Sequence, residues 1–146
     1  MTRVSIIIGS ESDAELGEKA ARMLDDFDVP YTLDVISAHR NPERLASHVR
    51  DSGADVFICV AGLAAALPGA VAAQTVKPVI GVPKDVRLGG LDSLLSMVQM
   101  PTGVPVATVA IDGASNAALL AVEILALSDE ALIEKLWEYR VKRAKG

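Results

Sequence analysis

The sequence predicts a three-layer α/β/α sandwich built on one five-stranded parallel sheet. Short runs rich in β-branched residues alternate with segments of helical spacing along the whole chain, the pattern typical of βαβ units. One of the runs is apolar at almost every position, as expected of a strand buried on both faces. With 146 residues and 51% hydrophobic residues, the chain can form one core. We therefore expect residues 1–146 to form a single domain.

The first half of the chain contains three predicted strands, at 3–9, 31–37 and 55–61. The run DVFICVA at 55–61 is the almost continuously apolar one and is predicted to be fully buried. Helical segments follow the strands at 13–27, 42–52 and, rich in small residues, at 65–75. The first of these helices has an apolar face at helical spacing, formed by Leu16, Ala20, Met23, Leu24 and Phe27.

The second half continues the alternation and ends in an additional helix. Strands are predicted at 78–83 and 105–111, with helices at 90–100 and 115–127. A C-terminal helix at 129–146 follows the capping sequence SDE and is a candidate subunit contact. Its apolar side consists of Leu132, Ile133, Leu136, Trp137 and Val141.

Five strands joined by right-handed helical crossovers favour the strand order 2-1-3-4-5, the flavodoxin-like arrangement. In such sheets, ligands bind beyond the carboxyl ends of the strands, where the order reverses between strands 1 and 3. The loops after strands 1, 2 and 3 are therefore the predicted functional region.

Composition excludes several classes of function. The formal net charge of −5 argues against a nucleic-acid partner, which requires a clustered basic surface. Cys59 is the only cysteine, so it can form neither an internal disulfide nor a thiolate cluster, and we expect it in the core. No apolar run suits a signal peptide or the roughly 20 residues of a membrane span. We expect a cytoplasmic protein with no membrane partner, and the sequence shows no metal-ligand or cofactor fingerprint.

The loop after strand 1, GSESD at 9–13, has the composition of an anion site. Gly9 permits a close turn, Ser10 and Ser12 offer hydroxyl donors, and the following helix presents free N–H groups. The alternative is that Ser12 or Asp13 only caps that helix.

The loop after strand 2, SAHRNP, contains one of the two histidines of the chain. Asn41 and Pro42 are predicted to start the next helix, which leaves residues 37–40 exposed on the ligand side. Histidine is a natural proton carrier near neutrality, and Arg40 could clamp a phosphate. A purely structural role for His39 and Arg40 is the alternative. The second histidine, His48, is predicted on the solvent side of its helix.

The loop after strand 3, AGLAAALPGA at 61–70, has no polar side chains. Any contribution to binding must come from backbone N–H groups, close approach and exclusion of water. Tight packing of a small-residue helix is a compatible alternative.

Together, these loops resemble the phosphoribosylaminoimidazole carboxylase family of purine biosynthesis, whose bacterial type is a mutase acting on N5-carboxyaminoimidazole ribonucleotide. GSESD is similar to its GSxSD loop, and SAHRNP to its SAHR(T/N)P loop. The block GLDSLLSMVQMPTGVPVATVAI at 90–111 and NAALLA at 116–121 also match. The resemblance extends over about residues 3–127.

This resemblance implies that CO2 moves from the carbamate nitrogen to the ring carbon of a ribonucleotide in a closed pocket, without metal, biotin, ATP or another cofactor. His39 would be the general acid and base, Ser10 and Arg40 would hold the phosphate, Asp13 would bind a ribose hydroxyl, and Ser37 would lie beside the base. The remaining substrate-binding positions are Ser12, Ala38, Gly62, Ala64, Ala65, Ala66 and Leu67. Family members are homo-octamers with sites shared between subunits, and here the small-residue segment at 64–75, the VQMP sequence and the C-terminal helix are candidate contacts.

One position departs from the family pattern. The bacterial mutases have AAHLPG in the third loop, and Ala66 replaces that histidine here. Arg40 favours the mutase, because the type that uses free CO2 tends to have lysine there. Direct carboxylation of 5-aminoimidazole ribonucleotide with free CO2 is the alternative, followed by carboxylation of a pyridine nucleotide and by a non-enzymatic nucleotide-binding regulator.

Overall fold

Five parallel strands form one sheet in the order β2-β1-β3-β4-β5, which confirms the predicted topology. The computed structural model describes all residues from 1 to 146. The strands are β1 Val4–Ile8, β2 Tyr31–Val35, β3 Val56–Ala61, β4 Val79–Pro83 and β5 Ala107–Thr108. The helices are α1 Ala14–Asp26, α2 Pro42–Asp51, α3 Leu67–Ala72, α4 Leu91–Val98, α5 Ala114–Ala126 and α6 Glu130–Ala144, with short 3-10 turns at Glu11–Asp13 and Leu88–Gly90.

The core lies on both faces of the sheet because successive side chains of a strand point to opposite sides. Ile6 and Ile8 of β1 pack in the cluster that contains α1 and α5, whereas Ile7 packs in the cluster with α2 and α3. Every residue of β1 and β3 is buried, as predicted for β3. The apolar face predicted for the first helix is also confirmed, since its residues are buried in or packed against the first cluster.

The fifth strand is shorter than the sequence predicted. Regular pairing is limited to Ala107–Thr108, although 105–111 is rich in β-branched residues. Pro105 has no N–H to donate to a ladder, and Asp112 has a φ of 61°. The chain nevertheless follows β4, because the N–H of Val109 donates to the Gly81 carbonyl at 3.1 Å. The pattern therefore predicted the position of this strand correctly but overestimated its length.

Two helical predictions also need correction. The small-residue helix is α3, which comprises six residues and leaves the chain before Leu67 as loop. The predicted apolar side of the C-terminal helix is divided: Leu132 is buried, whereas Ile133, Trp137 and Val141 are exposed. Only part of that side packs on α5, so the rest is available at the surface.

His48 does not face solvent as predicted. It is half-buried, and its Nε2 lies 2.9 Å from the hydroxyl of the fully buried Ser5 and 3.8 Å from a carboxylate oxygen of Asp34. This histidine links α2 to the sheet. None of the helices is both long and apolar enough to cross a membrane.

Candidate active site

The loops after β1, β2 and β3 surround one cavity of about 400 Å³ at the carboxyl edge of the sheet. A cavity of this size suits a small-molecule ligand. The cavity lies at the end of β1, whose neighbours in the sheet are β2 and β3, and this is the switch point expected for the topology. All residues predicted for the site contribute to its wall, which consists of Gly9, Ser10, Ser12, Asp13, Ser37, Ala38, His39, Arg40, Ala61, Gly62, Leu63, Ala64, Ala65, Ala66, Leu67 and Val86.

In the first loop, Ser10 is the residue that caps the turn. Its hydroxyl oxygen accepts a hydrogen bond from the N–H of Ser12 at 3.1 Å and lies 2.8 Å from the Ser12 hydroxyl. Asp13 makes no capping hydrogen bond with its side chain. The side chains of Ser12 and Asp13 therefore do not cap α1, contrary to the alternative considered from the sequence, and the buried carboxylate of Asp13 is not used for capping.

The second loop holds His39 at an exposed turn between β2 and α2. The N–H of Asn41 donates to the Ser37 carbonyl at 2.9 Å, and the N–H of Arg40 donates to the Ser37 hydroxyl at 3.1 Å. Asn41 then caps α2, because its side chain accepts from the N–H of Arg44 at 3.3 Å, with Pro42 in the first turn. The predicted helix start is confirmed, and it fixes the ends of the turn that presents His39.

Arg40 lies in the turn before α2 and Arg44 in the first turn of α2, and the two side chains have different surroundings. Arg44 donates to the Val35 carbonyl at 3.0 Å, outside the cavity. Arg40 lines the cavity, and its nearest partner is the Gly9 carbonyl at 3.5 Å, the limit of a hydrogen bond. Most of the guanidinium donors of Arg40 are therefore free for a ligand.

The third loop forms an apolar wall with an unusual backbone. Leu63 has a φ of +56°, and the N–H of Ala66 donates to the Ala64 carbonyl at 2.8 Å. Gly62 has no room for a side chain, because an added Cβ would lie 2.6 Å from a methyl carbon of Val86. The alanines offer small apolar surface and backbone groups, as the sequence indicated.

Two residues after β4 were missed by the sequence reasoning. Val86 lines the cavity, whereas Lys84 contacts the first loop from outside the cavity wall. The ammonium of Lys84 lies 3.4 Å from Oδ1 of Asp13 and donates to the Ser12 carbonyl. A signal was present, since Lys84 directly follows a strand next to β3 and so starts at the same edge of the sheet.

The charges around the cavity are consistent with an anionic ligand. Asp13 is paired with Lys84, so the Arg40 guanidinium supplies an unpaired positive charge beside two serine hydroxyls. No three His, Cys, Asp or Glu side chains are grouped to hold a metal ion. The fold and the cavity thus define the class: a doubly wound α/β protein with a pocket suited to a small phosphorylated ligand and an imidazole at its rim.

Comparison with known proteins narrows this class. A sequence profile described as AIR carboxylase matches residues 3–146. A protein of Methanocaldococcus jannaschii named N5-carboxyaminoimidazole ribonucleotide mutase is 58% identical over 142 residues, covering 97% of this chain and 90% of the relative. A protein of Thermotoga maritima with the same name is 50% identical over 149 residues, covering 98% and 87%. The crystal structure of Treponema denticola PurE has a TM-score of 0.85 at 30% identity, covering 99% of this chain and 93% of that one. The chain belongs to the AIR carboxylase family.

Proposed function

We propose that this protein is an N5-carboxyaminoimidazole ribonucleotide mutase of purine biosynthesis, which forms 4-carboxy-5-aminoimidazole ribonucleotide. One observation is central to the proposal: His39, Arg40, Ser10 and Asp13 come from two separate loops and line the same cavity. The names of the relatives favour this isomerase activity over direct carboxylation with free CO2.

In the proposed complex, the 5′-phosphate lies between the serine hydroxyls of the first loop and Arg40. Hydroxyl and guanidinium donors are suited to phosphate oxygens. A ribose hydroxyl donates to Asp13, whose carboxylate is not used for capping. The aminoimidazole ring then lies near Ser37, Ala38 and the alanine-rich third loop.

His39 transfers the protons of the reaction. The carbamate C–N bond breaks as the nitrogen gains a proton, and CO2 is released in the pocket. The ring carbon then forms a bond to this CO2 and loses its proton to the imidazole. An imidazole can donate and accept a proton near neutral pH, so one residue can serve both steps in turn.

Retention of CO2 requires a site closed to water, and the third loop suits this task because its wall is apolar. We propose that other subunits complete the closure in a homo-octamer. In support, α4 and the turn before it expose an apolar stripe at helical spacing, with exposed fractions between 46% and 77%. The stripe consists of Leu88, Leu91, Leu95 and Val98, and unpartnered apolar faces of this kind are typical of protein contacts.

The role of His39 is tested by His39→Asn, with turnover of N5-carboxyaminoimidazole ribonucleotide followed directly. We expect kcat to fall by about a hundredfold or more, the usual contribution of general acid–base catalysis. The control is His48→Asn, which changes the only other histidine, on α2 and outside the cavity wall. Full activity of His39→Asn would exclude the proposed proton transfer.

The choice between mutase and carboxylase is tested by giving the wild-type protein either the carbamate substrate or 5-aminoimidazole ribonucleotide with bicarbonate. The mutase proposal predicts faster turnover of the carbamate. Ala66→His measures the effect of the histidine that bacterial mutases carry at this position. Preference of the wild type for bicarbonate would overturn the mutase assignment, and tight nucleotide binding without turnover of either substrate would indicate a regulator.

A further inference from the structure

Lys84 lies behind the pocket and connects parts of the chain that are far apart in sequence. Its ammonium is 3.4 Å from Oδ1 of Asp13 and also donates to the carbonyl of Ser12, 72 residues away in the chain. The side chains of Lys84 and Asp13 are only 22% and 7% exposed. Taken together, these two side chains are less exposed than the two side chains of any other ion pair of the protein.

The backbone of Lys84 is held at both of its polar groups. Its N–H donates to the Ala61 carbonyl at 3.0 Å, and its carbonyl accepts from the hydroxyl of the fully buried Ser93 at 2.8 Å. The backbone from which the Lys84 side chain starts is consequently fixed between the third loop and α4. A group held in this way can fix the orientation of the carboxylate it contacts.

Asp13 has two oxygens in different surroundings. Oδ1 faces Lys84, whereas Oδ2 lies on the side of Gly9, a residue of the cavity wall. Without a neighbouring cation, a buried carboxylate at this position would repel the phosphate of a nucleotide. Lys84 offsets that charge while it leaves one oxygen for a ligand.

We propose that Lys84 is a positioning residue for nucleotide binding, acting through Asp13: it turns one carboxylate oxygen toward the ribose and offsets the negative charge beside the phosphate. The inference rests on the proposed function in one respect, the ribonucleotide as ligand. It assigns a role to a residue outside the cavity wall.

The test compares Lys84→Met, Lys84→Gln and Lys84→Arg, with Lys77→Met as the matched control. Lys77 lies just before β4, at the opposite edge of the sheet, and contacts Asp55 at 3.8 Å in an exposed ion pair. Binding of 5-aminoimidazole ribonucleotide is measured by calorimetry, and KM and kcat are measured with the carbamate substrate.

We expect Lys84→Met to raise Kd and KM about tenfold, the effect of losing one charge-assisted hydrogen bond, with a much smaller change in kcat. Lys84→Arg should restore most of the affinity, and Lys77→Met should match the wild type. In an Asp13→Asn background, Lys84→Met should have little further effect on Kd, because the carboxylate through which Lys84 acts is already absent.

A Kd for Lys84→Met within twofold of that of Lys77→Met would overturn the inference, as would an unchanged effect in the Asp13→Asn background. If Lys84→Met does not fold, Lys84→Gln provides the same comparison, since glutamine retains a donor without the charge. Failure of the proposed function is distinguishable: a wild type that binds the nucleotide without turning over the carbamate refutes the activity, while the calorimetric comparison still decides the role of Lys84. A wild type that does not bind the nucleotide would overturn both.

Discussion

Replacement of Arg40 is the most direct test of the phosphate position. The guanidinium lies on the cavity wall, and its nearest partner is the Gly9 carbonyl at the limiting distance of 3.5 Å. Arg40→Met therefore removes at most one weak hydrogen bond from the free protein, and its effect should appear in the affinity for the nucleotide. Hydrogen bonds to charged groups contribute about 1.5–3 kcal/mol, and the exposure of Arg40 favours the lower end. A loss of about 1.5 kcal/mol corresponds to a roughly tenfold increase in KM.

The assay is steady-state turnover of the carbamate substrate, with inorganic phosphate as a competitive inhibitor. Arg40→Met should raise both KM and the inhibition constant of phosphate, while kcat changes far less. Arg40→Lys should have an intermediate effect because lysine keeps the charge but loses the bidentate geometry. Higher salt should reduce the difference between the wild type and Arg40→Met.

Arg44→Met is the control for this experiment, since Arg44 carries the same charge in the first turn of α2 and donates to the Val35 carbonyl outside the cavity. Its KM should be close to that of the wild type. Equal effects of the two substitutions would indicate a general influence of surface charge and would refute a phosphate contact at Arg40. An unchanged inhibition constant for phosphate in Arg40→Met would do the same.

Three further predictions concern the fold. Burial raises the pKa of the Cys59 thiol, so a thiol-specific reagent should label this residue only after unfolding, and rapid labelling of the native protein would contradict its core position. The hydrogen bond from Lys135, at 2.8 Å, lowers the pKa of Asp28 below its ordinary 3.8. The stabilisation of the folded state by this pair is therefore present above pH 3.8 and is lost as the pH falls through the folded-state pKa of Asp28. An NMR titration should show the midpoint of Asp28 rising in Lys135→Met. Met97 is fully buried, and Met97→Ala should lower the free energy of unfolding by about 2–5 kcal/mol in urea denaturation, whereas Val76→Ala, at a fully exposed side chain, should change it by less than about 0.5 kcal/mol.

The strands and helices, the order of the strands in the sheet and the location of the cavity could be predicted from the sequence. Alternation of β-branched and helical segments was sufficient for the sheet order, because parallel strands and right-handed crossovers leave few arrangements. The start of α2 was predictable from Asn41 and Pro42, which act within one turn. The loops of the cavity followed from the same topology.

Features that depend on distant partners could not be predicted from local patterns. His48 has a sequence neighbourhood typical of an exposed helix face, but it meets Ser5 of β1 across 43 residues. Lys84 follows β4, which places it at the ligand edge of the sheet, but no local pattern identifies Asp13 as its partner. In β5, the strand propensity of 105–111 was correct in kind, but Pro105 and the left-handed conformation of Asp112 limit the ladder.

The placement of α5 has a consequence for the order in which the protein becomes functional during synthesis. Almost all of the cavity wall comes from the first half of the chain, and Val86 completes it. Yet β1 and α1 are packed against α5, whose Ala118 and Ala121 are fully buried in the same cluster. A ribosome-bound chain that ends before α5 would expose this side of the sheet, so the loops would lack their rigid support. Ligand binding should therefore begin only after α5 has emerged from the ribosome, well after the last residue of the cavity wall has been translated.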